Sequence, residues 1–343
     1  LLFEWKLQID PLDMFSKLFL VAFDNFSWPA GPNLPNIYVG SLGIMGTIYY
    51  FISSTIQRRE KVASFFVLTI FILSCVHEFT SKLWHMGQNP AGFFYRFSWI
   101  MAFFLIYLAY LVLREVDQLH WKPSIVIAGG TLVMFAIVMT RQYSFLIVPQ
   151  KIATVALIFV MLSILVWPQI NKRWAFLAAV TAIELMMNAT IVQSRVGYTD
   201  AYKYQDAVKQ LQTAVAPIRP NDKEFYRIQG SFHLSKNDPF MADYPGMSVF
   251  SSNLENATRD LFEQLGNTGI NATTYYYGTP LSDAIFSLKY WMTPKPVYTK
   301  DYPDTSKMYV FGNYATRLDI TENTPVVYEE ERTEVFQIPQ TLP

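Results

Sequence analysis

The chain has 343 residues, 52% of them apolar and only 16% charged, against roughly 25% charged in ordinary soluble domains. Its 27 basic side chains balance 27 acidic ones, so no net field draws it toward polyanions; disorder and nucleic-acid binding are both disfavoured. The charges are unevenly placed: residues 1–193 hold 13 basic and 9 acidic side chains, and residues 194–343 hold 14 and 18. An oily part is followed by a watery one. The single Cys75 supports neither an intrachain disulfide nor a thiolate metal cluster. The opening Leu1-Leu2-Phe3 carries no Met and no basic leader, which reads as a piece of a longer or processed chain.

In chain order, Asp10-Pro11 reads as N-cap and first residue of a helix whose Met14, Phe15, Leu18, Phe19 and Ala22 share a face. That pattern predicts an amphipathic helix lying in a membrane interface. The stretch Trp28 to Asn36, with three prolines and a glycine, predicts a loop held against the membrane surface. Residues 1–36 are thus read as an outer interfacial helix and loop. Six apolar runs follow, over 37–56, 62–76, 97–113, 125–139, 152–167 and 174–193, the second expected to continue as a membrane segment over 62–83. Crossing a bilayer core takes about 20 residues, so the first and last are long enough and the others marginal. Because the runs lack the polar stripe of soluble helices, region 37–193 is expected to be transmembrane rather than a buried soluble bundle. Seven basic residues (Arg58, Arg59, Lys61, Arg114, Lys122, Lys172, Arg173) flank one side and four (Lys82, Arg96, Arg141, Lys151) the other. The richer side is expected to be cytoplasmic, leaving both ends of the chain outside.

Residues 194–343 read as a small α+β extracytoplasmic domain. Helices are expected over 201–215, 254–265 and 280–291, with strands near 225–229, 274–277, 308–311, 326–328 and 334–338. The dense Tyr275-Tyr276-Tyr277 suits either sugar stacking or a strand core.

The polar groups of the oily part concentrate at the end of the second run and the start of the third. If the second helix continues past Val76, then His77, Ser81 and His85 share a face, with Glu78 and Lys82 beside them. Ionisable groups at that depth line a cavity or pair with one another; equally, Trp84, Tyr95 and Lys82 are ordinary headgroup-level anchors. Arg96 directly precedes the third helix, where a guanidinium can grip a lipid phosphate with His85 adding a hydrogen bond; simple anchoring is the plainer reading. His77-Glu78 begins like a zinc-protease helix, but Ser81 stands where the second histidine belongs. No nucleophile elbow or phosphate loop occurs. Glu184, inside the last run, either pairs with a helix neighbour or is held neutral by its apolar surroundings, and pairing within the bundle is the expected case.

Pro35-Asn36-Ile37-Tyr38-Val39-Gly40, Trp84-His85, Asn89-Pro90, Phe94-Tyr95-Arg96-Phe97-Ser98, Phe225-Tyr226-Arg227, Thr279-Pro280-Leu281-Ser282-Asp283 and Lys289-Tyr290, in this order, resemble the YfhO family of bacterial membrane proteins. The resemblance implies a GT-C-like glycosyltransferase that takes a sugar from a polyprenyl-phosphate carrier, leaving a divalent metal open as cofactor. The acceptor would be an envelope polymer such as lipoteichoic acid. Arg96, His85, Tyr95 and Trp84 would then bind the donor, with His77, Glu78 and Lys82 as a secondary polar cluster. The catalytic carboxylate of such enzymes, in the first outer loop, is expected upstream of Leu1, and a last membrane helix downstream of Pro343, so this stretch alone is not expected to turn over. The rivals are a flippase or transporter for a lipid-linked precursor, for which only Gly129-Gly130 hints at a broken helix, and a non-enzymatic envelope protein.

Overall fold

The computed structural model describes residues 6–24, 33–87, 94–116, 118–167, 169–170, 172–295 and 315–339. The chain forms two compact units, Leu1–Gly197 and Tyr198–Pro343.

In the first unit a 3-10 helix, Pro11–Leu18, precedes α1 (Gly40–Ile52), α2 (Arg58–Val76), α3 (Glu78–Leu83), α4 (Ser98–Leu113), α5 (Trp121–Met139), α6 (Val148–Val166) and α7 (Arg173–Arg195). By length and composition α5, α6 and α7 can cross a membrane, while α1 and α4 are shorter apolar helices. α5 runs unbroken through Gly129-Gly130. The surface is greasy where a soluble protein would be polar: Phe65, Phe66 and Ile70 on α2, Trp99 and Phe103 on α4, and Ile183 and Met186 on α7 are all more than half exposed. Meanwhile Lys17 and Glu184 are 1% and 0% exposed. Water would penalise that arrangement; a hydrocarbon solvent favours it.

The interior packs Met45 of α1, Leu108 and Val112 of α4, Ile127 of α5, Met161 and Leu165 of α6 and Leu177 of α7 into one cluster. α1 and α4 approach closely because Gly46 has no side chain: a Cβ there would stand 2.5 Å from the Cβ of Ala109. Thr47 Oγ1 ties the pair by donating to Leu105 O at 3.1 Å. Small residues at such contacts are how helices associate where no hydrophobic force separates them from solvent.

Two expectations for this unit need correction. The second apolar run is not one helix: His77, at φ −109° and ψ 130°, separates α2 from α3. The cause is a short extended segment alongside. Gln8 N donates to Val76 O at 2.8 Å and Glu78 N to Lys6 O at 3.0 Å, so backbone groups that would continue the helix are used in a strand-like bridge between Leu7 and His77. The proposed face of His77, Ser81 and His85 therefore does not form. Secondly, the N-terminal helix is 3-10 rather than α and ends at Leu18, so the face expected to run on to Phe19 and Ala22 is not a helical one. Asp10 caps it, accepting from Leu12 N at 2.9 Å, but Met14, Phe19, Leu20 and Val21 are all buried. Met14 and Phe19 pack into apolar clusters with residues of the bundle, burial that stabilises the segment. Most of the proline-rich loop expected over 28–36 lies outside the described residues.

The second unit contains α8 (Ala201–Val215), α9 (Ile218–Asn221), β1 (Arg227–Gly230), α10 (Asp238–Met241), β2 (Val249–Phe250), α11 (Asn256–Gln264), β3 (Thr268–Gly269), β4 (Ala272–Thr274), α12 (Pro280–Ile285), β5 (Leu288–Pro294), α13 (Leu318–Thr321), β6 (Val326–Glu329) and β7 (Thr333–Gln337). One sheet has the order β1-β5-β7-β6 and a smaller one β2-β4-β3. β1 and β5 are parallel; β5, β7 and β6 pair antiparallel. α8 covers the larger sheet with Leu211, Ala214 and Val215 against Ile228, Tyr290, Met292 and Val335.

The helix expected over 280–291 ends at Ile285, and its second half is the central strand β5. Ser287 takes a left-handed turn at φ 53°, after which Tyr290, Trp291 and Met292 are each 3% exposed or less. A run of large side chains buried on both faces serves a central strand as well as a helix, and tertiary pairing decides. β4 ends at Thr274, short of the strand expected to 277, and the strand expected at 308–311 lies outside the described residues.

Candidate functional site

The site is built where α2 ends, α3 turns and α4 begins. Glu78 is 4% exposed and Lys82 7%; they pair at 2.6 Å one turn apart on α3, and Lys6 reaches the second carboxylate oxygen at 3.1 Å. This ion cluster, buried at Glu78 and Lys82 and exposed at Lys6, fastens the extended segment at residues 6–8 to α3. His77, 7% exposed, is part of the same junction through its bridge to Leu7. Glu78 and Lys82 thus pair beneath the surface, and the His77 backbone completes the junction.

Next to this junction, Trp84 stacks on Phe97 with ring centroids 4.8 Å apart, and Phe71 stacks on Trp84 from α2 at 6.2 Å. His85 lies beside the same plate, 6.0 Å from Phe97. Tyr95 takes a left-handed backbone conformation at φ 48° and is 4% exposed, its hydroxyl donating to Gln8 Oε1 at 3.4 Å. Strain of that kind persists where surroundings over-determine it. Here it turns the chain so that Tyr95 goes inward while Arg96 goes outward and is exposed. Tyr95 therefore supports the site from below and does not line it.

His85 is half-buried, and its Nε2 atom is buried with no hydrogen-bond partner among the described residues. Burial, and then the neighbouring Arg96 charge, hold it below the ordinary histidine range, so the ring is neutral at pH 7. The exposed Arg96 thus lies near a half-buried, neutral imidazole. Along the same helices lies an apolar cavity of about 290 Å³. Ile72 on α2 and Met101 and Leu105 on α4 line it, with Ile37 and Val39. Among the described residues no three His, Cys, Asp or Glu side chains gather as metal ligands.

Glu184, expected to pair within the bundle, is hydrogen-bonded to the start of α1. Its Oε1 accepts from Tyr38 Oη at 2.7 Å, Ser41 N at 2.8 Å and Ser41 Oγ at 2.7 Å. Its Oε2 is buried with no partner among the described residues. The carboxylate thus holds the start of α1, whose first-turn amides attract an anion. The signal was present in the Tyr38-to-Ser41 polar run, but nothing in one sequence connects it to a residue on α7.

In the second unit the motif Thr279 to Asp283 is structural. Thr279 caps α12, accepting from Ser282 N at 3.3 Å. Asp283, fully buried, binds Arg317 at 2.6 Å and accepts from Tyr275 Oη at 2.9 Å. Lys289 pairs with Asp222 and Glu224, both at 2.8 Å, and Tyr290 Oη donates to Asp222 at 2.8 Å. Of the three tyrosines, Tyr275 and Tyr276 are core, and only Tyr277 is exposed, at 63%.

A helical unit with a greasy exterior and buried ionic contacts, followed by a small α+β unit, belongs to a membrane protein. The family model of the bacterial membrane protein YfhO matches residues 1–342. The chain is therefore a member of the YfhO family, which is associated with envelope glycosylation. No curated protein and no solved structure matches it.

Proposed function

We propose that the chain is the multi-pass membrane portion and outer domain of a glycosyltransferase that moves a sugar from a polyprenyl-phosphate carrier to an envelope acceptor such as lipoteichoic acid. In this reading the six apolar runs cross the cell membrane, and both ends and the second unit are extracytoplasmic. The observation that supports it is the exposed Arg96 near the half-buried ring of His85, in a unit whose helices α2 and α4 also line an apolar cavity. The guanidinium would hold the carrier phosphate in a bidentate way, and His85 would donate once protonated. The Trp84–Phe97 plate would bear the first apolar units of the carrier, whose chain continues along Ile72 and Met101. Preorganised donors facing developing phosphate charge are worth most as the sugar leaves. The sequence hint favouring transport, a break at Gly129-Gly130, is removed by the continuous α5. Replacing Arg96 by Ala in the full-length protein is expected to lower sugar incorporation into the envelope polymer by tenfold or more. Unchanged incorporation at normal protein levels would remove the assignment.

A further inference from the structure

The second unit carries a cleft of about 480 Å³ that no part of the donor reading uses, lined by Arg219, Glu224, Phe225, Tyr226, Pro239, Phe240, Asp243, Tyr244 and Pro245. Two of its side chains are large apolar rings left in solvent, Phe225 at 58% and Phe240 at 76% exposed. Around them stand one guanidinium and two carboxylates. Arg219 Nη1 donates to Asp243 Oδ2 at 2.8 Å and Nη2 to Asp243 O at 3.1 Å. Glu224 is oriented by Lys289 at 2.8 Å, and the Arg227 guanidinium backs the Phe225 ring at 4.9 Å.

The wall bearing Phe240 is rigid. Asp238, 2% exposed, accepts from Leu234 N and Ser235 N, both at 2.7 Å, fixing the start of the turn. Its far end is pinned to the sheet by Ile228 N donating to Pro245 O at 2.7 Å. Gly246 allows the loop to close on itself, since a Cβ there would stand 2.3 Å from Pro239 Cγ. Asp243 is held at φ 54°, in the left-handed region that residues other than glycine enter only where their surroundings hold them. Exposed aromatic faces on a rigid frame, ringed by carboxylates and an arginine already engaged in hydrogen bonds, match one ligand chemistry. A pyranose offers an apolar C–H face to rings and equatorial hydroxyls to carboxylate acceptors and guanidinium donors. The lining charges, one basic against two acidic, disfavour an anionic polymer backbone.

We propose that this cleft is a carbohydrate-binding subsite for a neutral pyranose unit. Nothing in it depends on the Arg96 site, so the two readings fail separately. The full chain in nanodiscs would be examined by saturation-transfer NMR with maltotriose and triacetylchitotriose as neutral probes and poly(glycerol phosphate) as the anionic comparator. At least one neutral probe should receive saturation, lost at least fivefold in Phe240→Ala and in Arg219→Ala and retained in Arg96→Ala. Both Phe240 and Arg219 are exposed, so neither variant should perturb folding, which circular dichroism would verify. No transfer to either neutral probe, transfer only to poly(glycerol phosphate), or transfer unchanged in Phe240→Ala would overturn the proposal. So would lipid-like emission from a polarity-sensitive dye on Phe240→Cys, which would make the ring a membrane contact instead.

Discussion

Lys17 shows what a single charge does when the fold withdraws it from water. Its ammonium donates to Ala22 O at 3.1 Å and sits 4.2 Å over the Phe145 ring, and burial lowers its pKa to about 8 against 10.5 unfolded. Between those values the unfolded chain binds more protons than the folded one, so stability rises with pH from about 8 to 10.5. The thermal midpoint is expected to climb across that window relative to Lys17→Met, in which this component is absent. Parallel curves for the two proteins would refute it. His85 gives the opposite sign for ligand affinity: as it protonates below its lowered pKa, binding of a phosphate-bearing lipid should strengthen, and His85→Asn should flatten that pH dependence in a binding titration. In the second unit, Asp283→Asn leaves Arg317, 6% exposed, without its buried carboxylate. A loss of about 3 kcal/mol is expected from chemical unfolding. Arg96, His85 and Trp84 stand out in the sequence because polar and aromatic residues crowd between two greasy runs, and the structure places them near one another around Phe97. The inward turn of Tyr95 was not legible, since left-handed backbone at a tyrosine has no residue-level signature.

Among the elements, those identified by hydrophobic runs alone emerged near the expected places: α4 to α7 begin and end within a few residues of their apolar stretches. Elements decided by partners did not. The stretch 62–83 divides at His77 because residues 6–8, distant in sequence, bridge to it. Likewise 280–291 divides because β5 is claimed on both sides by β1 and β7. Periodicity describes one element at a time and carries no information about which neighbour will take its hydrogen bonds. The close α1–α4 contact gives a test at this scale. Gly46→Val would force the helices apart at Ala109, and the expected outcome is a clear drop in the thermal midpoint of the detergent-solubilised protein. Gly129→Val, at a position with nothing within 4 Å of the added carbon, should by contrast be tolerated.

For the molecule as a whole, the proposed orientation predicts that a cysteine placed at exposed Tyr277 is labelled by an impermeant thiol reagent in intact cells, whereas one at Arg59 is labelled only after lysis. Cys75 is buried and contributes little background. The reverse pattern would separate the second unit from any carrier headgroup at Arg96. The division into an oily and a watery half was visible in the charge distribution, but the clasp between the two ends of the helical unit was not. Glu184, on the last helix of that unit, is the acceptor that three donors at the head of the first helix converge upon. During synthesis, Tyr38 and Ser41 leave the ribosome long before Glu184 exists. Until α7 is inserted, those donors must be served by water or by the insertion machinery. Chains truncated before residue 184 should therefore stay exposed to quality-control proteases, and the bundle should become protected in a single late step as α7 enters.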